Sequence, residues 1–143
     1  MSISPRRVVE AMLAADNASR AMGMALQSVA AGCATVQMTI RADMVNGHKT
    51  CHGGIIFSLA DSAFAFACNN RNNISVASGC SIEFLVPAHE GDVLTAQAVE
   101  VALQGKTGIC DVTVTNQHGA TVATFRGRSH QLKGQVVVPD VEE

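Results

Sequence analysis

An apolar stretch in the middle of the chain limits what this sequence can fold into. Between residues 55 and 68 nearly every side chain is apolar: Ile55, Ile56, Phe57, Leu59, Ala60, Ala63, Phe64, Ala65, Phe66, Ala67 and Cys68. On an α-helix these side chains would cover every face, and a helix that is apolar all round is a buried helix. The sequence therefore predicts about four turns of central helix, enclosed by the rest of the protein.

Asp61 is the only charged residue of this predicted helix. It shares one edge of the helix with Ser58 and Ser62. Two interpretations of Asp61 are open. The carboxylate is structural, held by backbone N–H groups or by an arginine of a partner, or it is chemical and acts as a base or a nucleophile.

The loop that leads into the helix favours the chemical interpretation. His52, Gly53 and Gly54 stand where the helix begins. Backbone N–H groups at that position have no intrahelical acceptor and carry the positive end of the helix dipole. Because glycines let a ligand come close, these donors suit a developing oxyanion. One helix would then present an anion-stabilising terminus and, roughly two turns further on, a carboxylate.

Three motifs around this helix resemble those of a known family. Asn46-Gly47, Cys-His-Gly-Gly at 51–54 and Leu-Ala-Asp-Ser-Ala at 59–63 together resemble the signature of hotdog-fold acyl-CoA thioesterases, most closely the small type found in phenylacetate degradation. The resemblance implies a hotdog fold, a dimer that completes each site, and hydrolysis of phenylacetyl-CoA or a ring-hydroxylated relative. It also implies that Asn46 orients the carbonyl or the water, and that His52 shapes the loop and contacts the thioester.

The rest of the chain predicts an α+β fold. Ser4 and Pro5 open a helix over 5–15, as N-cap and first helical residue. Period-two patterns and turn residues predict six strands, at 25–31, 33–41, 75–86, 92–103, 108–116 and 120–132. Without crossover helices between the last four strands, the sheet should be curved and mostly antiparallel, wrapped around the central helix. We expect one hotdog domain over 1–143, with a frayed tail from 135 to 143.

The catalytic hypothesis uses few groups. The backbone N–H of Gly53 or its neighbour polarises the acyl carbonyl, and Asp61 activates water or attacks directly. A thioester suits so sparse a site because a thiolate leaves without a strong general acid. Two rival functions stay open: an enoyl-CoA hydratase in which Asp61 works with His52, and a non-catalytic module that binds acyl thioesters and uses Asp61 only structurally.

Basic and aromatic residues supply candidates for substrate binding. Arg126, Arg128 and His130 alternate on the last strand, so they form either a solvated face or a cationic rim for the phosphates of coenzyme A. The aromatic and small residues of the central helix suggest a compact acyl pocket. The substrate-binding set is Gly54, Arg71, Lys106, Arg126, Arg128, Phe57 and Phe64.

The composition indicates which kinds of binding partner and which cellular compartment to expect. A net charge of −2 and the absence of Trp and Tyr argue against nucleic acid and anionic membranes. Five cysteines without a CxxC pair indicate reduced thiols in a cytoplasmic protein. No metal and no cofactor is expected, since His48, Cys51, His52 and Asp61 match no standard zinc spacing and Cys51 lacks an orienting group for a thiol nucleophile. Exposed strand edges predict a homodimer with facing central helices, which pairs further into a tetramer.

Overall fold

The computed structural model describes residues 2–138. Its helices and strands follow the predicted order, with ends that differ from the predicted ones by at most two residues. They are α1 Pro5–Ala15, α2 Asn17–Ala21, β1 Ala25–Ala30, β2 Cys33–Thr39, a 3-10 helix Ala42–Met44, α3 Gly53–Asn69, β3 Ser75–Phe84, β4 Val93–Gln104, β5 Thr107–Thr115 and β6 Thr121–Gln131.

All six strands form one antiparallel sheet in the order β1-β2-β4-β5-β6-β3. The central helix α3 packs on one face of this sheet and contacts five of its strands, β2 to β6. This arrangement confirms the predicted hotdog fold. No helix within residues 2–138 is long and apolar enough to cross a membrane.

The N-terminal segment contains one element that the sequence did not predict. Asp16 ends α1 and also starts the short helix α2. Its Oδ1 accepts a hydrogen bond from the Ser19 N–H at 3.0 Å. An aspartate that caps a free N–H in this way stabilises the start of a helix.

The sheet covers most of α3 but leaves one side of it open. Core residues such as Leu59, Ala63 and Phe64 are buried completely. A stripe along the opposite side is only partly covered or exposed, and it consists of Gly54, Ser58, Asp61, Ala65 and Cys68. Within one subunit, the helix that was predicted to be buried therefore keeps one side uncovered. We call these five residues the open stripe of α3.

The C-terminal segment is tied to the turn after α3. The Asn72 side chain accepts from the Val137 N–H and donates to the Val137 carbonyl oxygen, both at 2.8 Å. The tail that was expected to fray from residue 135 is therefore held at Val137, because this amide pairs with both backbone groups. Residues 139–143 of the expected tail lie outside the described residues.

One close contact fixes α3 against the last strand. The ring of Phe64 lies against Gly127 of β6, so close that a Cβ there would come within 2.6 Å of a ring carbon. Phe64 also packs on Phe125, with ring centroids 5.7 Å apart. Only a glycine lets the strand accept this ring, because protein interiors have no spare volume at such a contact.

We predict that Gly127→Ala lowers the free energy of unfolding by about 1–3 kcal/mol, since the added methyl overpacks the Phe64 ring. Urea denaturation, followed by circular dichroism, measures the free energy of unfolding. Gly79→Ala is the matched control, because a Cβ at this β3 position meets no atom within 4 Å. Equal stability of the two variants would show that the Phe64 contact does not constrain the fold.

Candidate active site

The start of α3 presents one open backbone donor. His52 caps the helix, and its Nδ1 accepts a hydrogen bond from the Gly54 N–H at 3.2 Å. The Gly53 N–H makes no hydrogen bond with any group in residues 2–138. Of the two donors that the sequence offered for an oxyanion, Gly53 is therefore the one available to a ligand.

A cleft of about 290 Å³ lies beside this donor. Its walls come from the loop before α3, from Gly53 and Ile56, and from residues 84–88 at the end of β3. The Phe84 ring lies over Gly53, where a Cβ would stand 3.2 Å from Phe84 Cζ. A second cleft, of about 270 Å³, lies on the other side of the helix terminus against His52, Gly54 and Ile55. The helix terminus thus stands between two clefts.

Asn46 organises the loop that leads into α3. Its Oδ1 accepts hydrogen bonds from the His48 N–H at 2.9 Å, the Thr50 N–H at 3.3 Å and the Thr50 hydroxyl at 3.2 Å. The backbone of Asn46 also pairs with that of Thr50. The carbonyl oxygen of this side chain is thus used by the loop, which leaves its NH₂ group to act on a carbonyl or a water.

Asp61 lies on the open stripe and is half-buried. No hydrogen bond or ion pair joins its carboxylate to another group in residues 2–138. Burial, and after it the negative charge of Asp16, raises the pKa of Asp61 above its ordinary value. A carboxylate in such surroundings is a stronger base than an exposed one.

Gly53 and Asp61 of the same chain are too far apart to act on one carbonyl. They are eight residues apart on one helix, which corresponds to about 12 Å along its axis. An oxyanion must lie about 3 Å from its donor, and the attacking atom about 3–3.5 Å from the carbonyl carbon. Within one subunit, a single helix therefore cannot supply both groups to one site, so their joint role stays a prediction.

Cys51 and metal binding offer no alternative centre within the described residues. Cys51 is buried, and burial raises its pKa to about 11, so its thiol is neutral at physiological pH. No three His, Cys, Asp or Glu side chains of residues 2–138 are grouped so that they could hold a metal ion.

The basic residues of the substrate-binding set lie away from the start of α3. Arg126 and Arg128 point from the outer face of the sheet, because the residues between and beside them on β6 are buried toward α3. Arg126 makes a two-pronged ion pair with Asp111, at 2.6 and 2.8 Å. Arg71 pairs with Glu100 at the other end of α3, and Lys106 lies in the cleft beside that pair. Their role in binding coenzyme A stays a prediction.

The two aromatic candidates lie in different surroundings. Phe64 is part of the core and lines neither cleft at the helix terminus. Phe57 is half-buried and stacks edge-on against Phe125, with centroids 5.4 Å apart. Of these two, only Phe57 keeps a surface that a substrate could reach in one subunit.

The sequence and the fold match one family. The family model described as the thioesterase superfamily matches residues 48–123, which include the end of the loop before α3, the whole of α3, and all of β3, β4 and β5. This chain belongs to the thioesterase superfamily.

Individual relatives support this assignment. The acyl-coenzyme A thioesterase PaaI of Escherichia coli is 50% identical over 127 residues, which cover 88% of this chain and 90% of that protein. The structure of the E. coli PaaI protein from the phenylacetic acid degradation operon matches with a TM-score of 0.90 at 45% identity, over 92% of this thioesterase and 95% of that chain. The structure of smu.793 from Streptococcus mutans bound to acetyl CoA matches with a TM-score of 0.75 at 27% identity, over 78% of this thioesterase and 90% of that chain.

Sequence reasoning missed two neighbours of the candidate site residues. Phe84 was predicted only as part of a strand, yet its ring covers Gly53. Asp16 was not predicted to belong to the site, yet its charge acts on Asp61. The Asp-x-x-Ser spacing at 16–19 is a capping pattern that could have indicated α2, whereas no local pattern could have indicated either contact with α3.

We predict that Asn46→Ala speeds amide hydrogen exchange at His48 and Thr50 by about fivefold, because a lost hydrogen bond is worth about 1 kcal/mol. Asn46→Asp is the matched control, since it keeps the accepting oxygen and should leave both amides protected. Nuclear magnetic resonance resolves the two amides separately. Unchanged exchange in Asn46→Ala would mean that this side chain does not organise the loop.

Proposed function

We propose that this thioesterase hydrolyses acyl-coenzyme A thioesters to the free acid and coenzyme A, with phenylacetyl-CoA or a ring-hydroxylated relative as its substrate. The strong similarity to the E. coli acyl-coenzyme A thioesterase supports the reaction. The matching E. coli structure is of a protein from the phenylacetic acid degradation operon, which supports a phenylacetyl group or a hydroxylated relative as the acyl group. The match to a structure that holds acetyl CoA supports coenzyme A as the carrier.

The observation that carries the reaction is the unpaired carboxylate of Asp61. A structural aspartate in a half-buried position would be expected to accept hydrogen bonds from backbone N–H groups or to pair with an arginine, because an unpaired charge there costs free energy. Asp61 has neither partner in residues 2–138. This argues against the non-catalytic binding module, in which Asp61 would serve only the fold.

The proposed chemistry needs one donor and one base. The Gly53 N–H donates to the thioester carbonyl oxygen and stabilises the negative charge that develops there. Asp61 takes a proton from a water molecule whose oxygen bonds to the carbonyl carbon, or its own oxygen forms that bond directly and water later cleaves the resulting anhydride. In both routes the C–S bond breaks when the tetrahedral intermediate collapses, and coenzyme A leaves as a thiolate; in the second route this step forms the anhydride that water cleaves afterwards. No general acid is required for that step.

The site is proposed to form between two subunits. Antiparallel pairing of two α3 helices over the first part of their open stripes, crossing midway between residues 53 and 61, would bring Gly53 close to Asp61 of the partner subunit. This removes the gap of about 12 Å within one chain. The edge strand β3 supports such a dimer, since most of its residues are exposed and its outer edge is unpaired among the described residues. Further pairing of dimers into a tetramer is part of the same proposal.

The contacts of His52 bear on the alternative that the protein is an enoyl-CoA hydratase. A hydratase would need a histidine whose ring is free to act beside the carboxylate, but His52 already uses its Nδ1 to cap α3. This makes the hydratase the weaker candidate.

A cytoplasmic location is proposed because all five cysteines are free thiols.

We predict that Asp61→Asn lowers kcat for phenylacetyl-CoA by at least about 100-fold with little change in KM, because it removes the base and keeps the shape of the side chain. Release of free thiol measures the rate, and thermal unfolding checks the fold. Glu90→Gln, which neutralises an exposed carboxylate in the turn before β4, should leave the rate unchanged.

Three other outcomes would count against the proposal. An Asp61→Asn protein that melts much earlier but releases thiol at a near wild-type rate per folded molecule would make the carboxylate structural. Loss of enoyl absorbance without thiol release would indicate a hydratase. Binding of acyl-CoA by the wild-type protein with neither reaction would indicate a binding module.

A further inference from the structure

A chain of hydrogen bonds joins the short helix α2 to α3 beside Asp61. The Ser19 hydroxyl donates to Asp16 Oδ2 at 2.6 Å and lies 2.8 Å from the Ser62 hydroxyl. Ser19 is almost completely buried, with 3% of its surface exposed. The chain therefore lies largely out of contact with solvent, where such bonds are stronger than at the surface.

The direction of this chain follows from its donors. The single hydroxyl proton of Ser19 goes to Asp16, so the contact between the two serines requires Ser62 to donate to Ser19. Asp16 also accepts from the Ser19 backbone N–H. The order Ser62 to Ser19 to Asp16 thus fixes the Asp16 carboxylate relative to the turn of α3 that carries Asp61.

Few ionisable groups face Asp61 from the elements around it. Among residues 2–138, the negative charge of Asp16, the N-cap of α2, acts on Asp61. The charge of Asp61 in turn acts on the thiols of Cys80 on β3 and Cys68 on α3. β2 carries no charged residue, and the charged residues of β5 and β6 point from the outer face of the sheet. On β4, Glu100 pairs with Arg71 near the end of α3, and on α1 Arg6 pairs with Glu10 at the surface.

We propose that Asp16 is a positioning residue for the reaction: held by Ser19 and Ser62, it places a second negative charge near Asp61 and so makes the Asp61 carboxylate a stronger base. The proposal rests on the function assigned above to Asp61. Two carboxylates at short range repel each other, and the repulsion is relieved when one of them takes up a proton. Asp61 gains a proton when it activates water, so the neighbouring charge favours that step.

The predicted effect has a definite sign. Burial raises the pKa of Asp61 first, and the charge of Asp16 raises it further. Removing that charge should therefore let Asp61 stay ionised to lower pH and also make it a weaker base. Asp16→Asn and Asp16→Ser both remove the charge, and both residues are good helix N-caps, so α2 keeps its start.

The test compares the pH dependence of kcat for phenylacetyl-CoA hydrolysis in the wild type and the two Asp16 variants. The acid limb should move to lower pH in both, the plateau kcat should fall by roughly threefold, and KM should stay the same. Glu10→Gln is the control, because it removes an exposed negative charge from α1. It should leave the acid limb, the plateau kcat and KM unchanged. An unmoved acid limb in a folded Asp16 variant would overturn the proposal, as a purely structural Asp16 would change the amount of folded enzyme and leave the limb in place.

A second readout does not depend on activity. The carboxyl carbon of Asp61, assigned by its loss in Asp61→Asn, can be titrated by nuclear magnetic resonance in the wild type and in Asp16→Asn. Its midpoint should move to lower pH in Asp16→Asn, and an unchanged midpoint would overturn the proposal. If the wild type releases no thiol from any acyl-CoA, the proposed function fails, and this titration still decides whether Asp16 acts on Asp61.

Discussion

The packing of one helix against one curved sheet determines where every candidate reactive group of this protein lies. Phe64, Leu59 and Ala63 direct one side of α3 into the sheet, and burial of apolar area is the main favourable term that holds the helix there. The contact between Phe64 and Gly127 fixes the rotation of the helix. With that rotation set, Asp61 must lie on the open stripe and the Gly53 N–H must lie at the edge of a cleft.

The two candidate reactive groups differ in how the fold prepares them. The Gly53 N–H is left open by the helix itself, since a first-turn donor has no intrahelical acceptor, and His52 satisfies only its neighbour Gly54. Asp61 is prepared by its surroundings, because burial and the nearby Asp16 carboxylate both disfavour its charge. A dipole terminus and a destabilised carboxylate together suit a reaction whose leaving group needs no acid.

Local patterns in the sequence predicted the elements, and they could not predict contacts between them. The Ser4 cap, the all-apolar α3 and the alternating β2 each depend on neighbours within a turn or a strand, so their prediction was correct. Phe84 over Gly53 depends on tertiary packing, which no short pattern reports. The distance between Gly53 and Asp61 was available from the rise of a helix, whereas the outward direction of Arg126 required knowing which face of β6 meets α3.

The central claim is that each site takes its donor from one subunit and its carboxylate from the other, and mixed dimers test it most directly. Gly53→Pro removes the N–H at a helix position that accepts proline, and His52 before it already has an extended backbone, at φ −59° and ψ 132°. Gly53→Ala is the control that keeps the N–H. When inactive Gly53→Pro and Asp61→Asn chains are unfolded together and refolded, about half of the dimers are mixed and each holds one intact site, so activity should recover to about a quarter of the wild-type value. Activity that stays at the sum of the two separate variants would contradict the shared site.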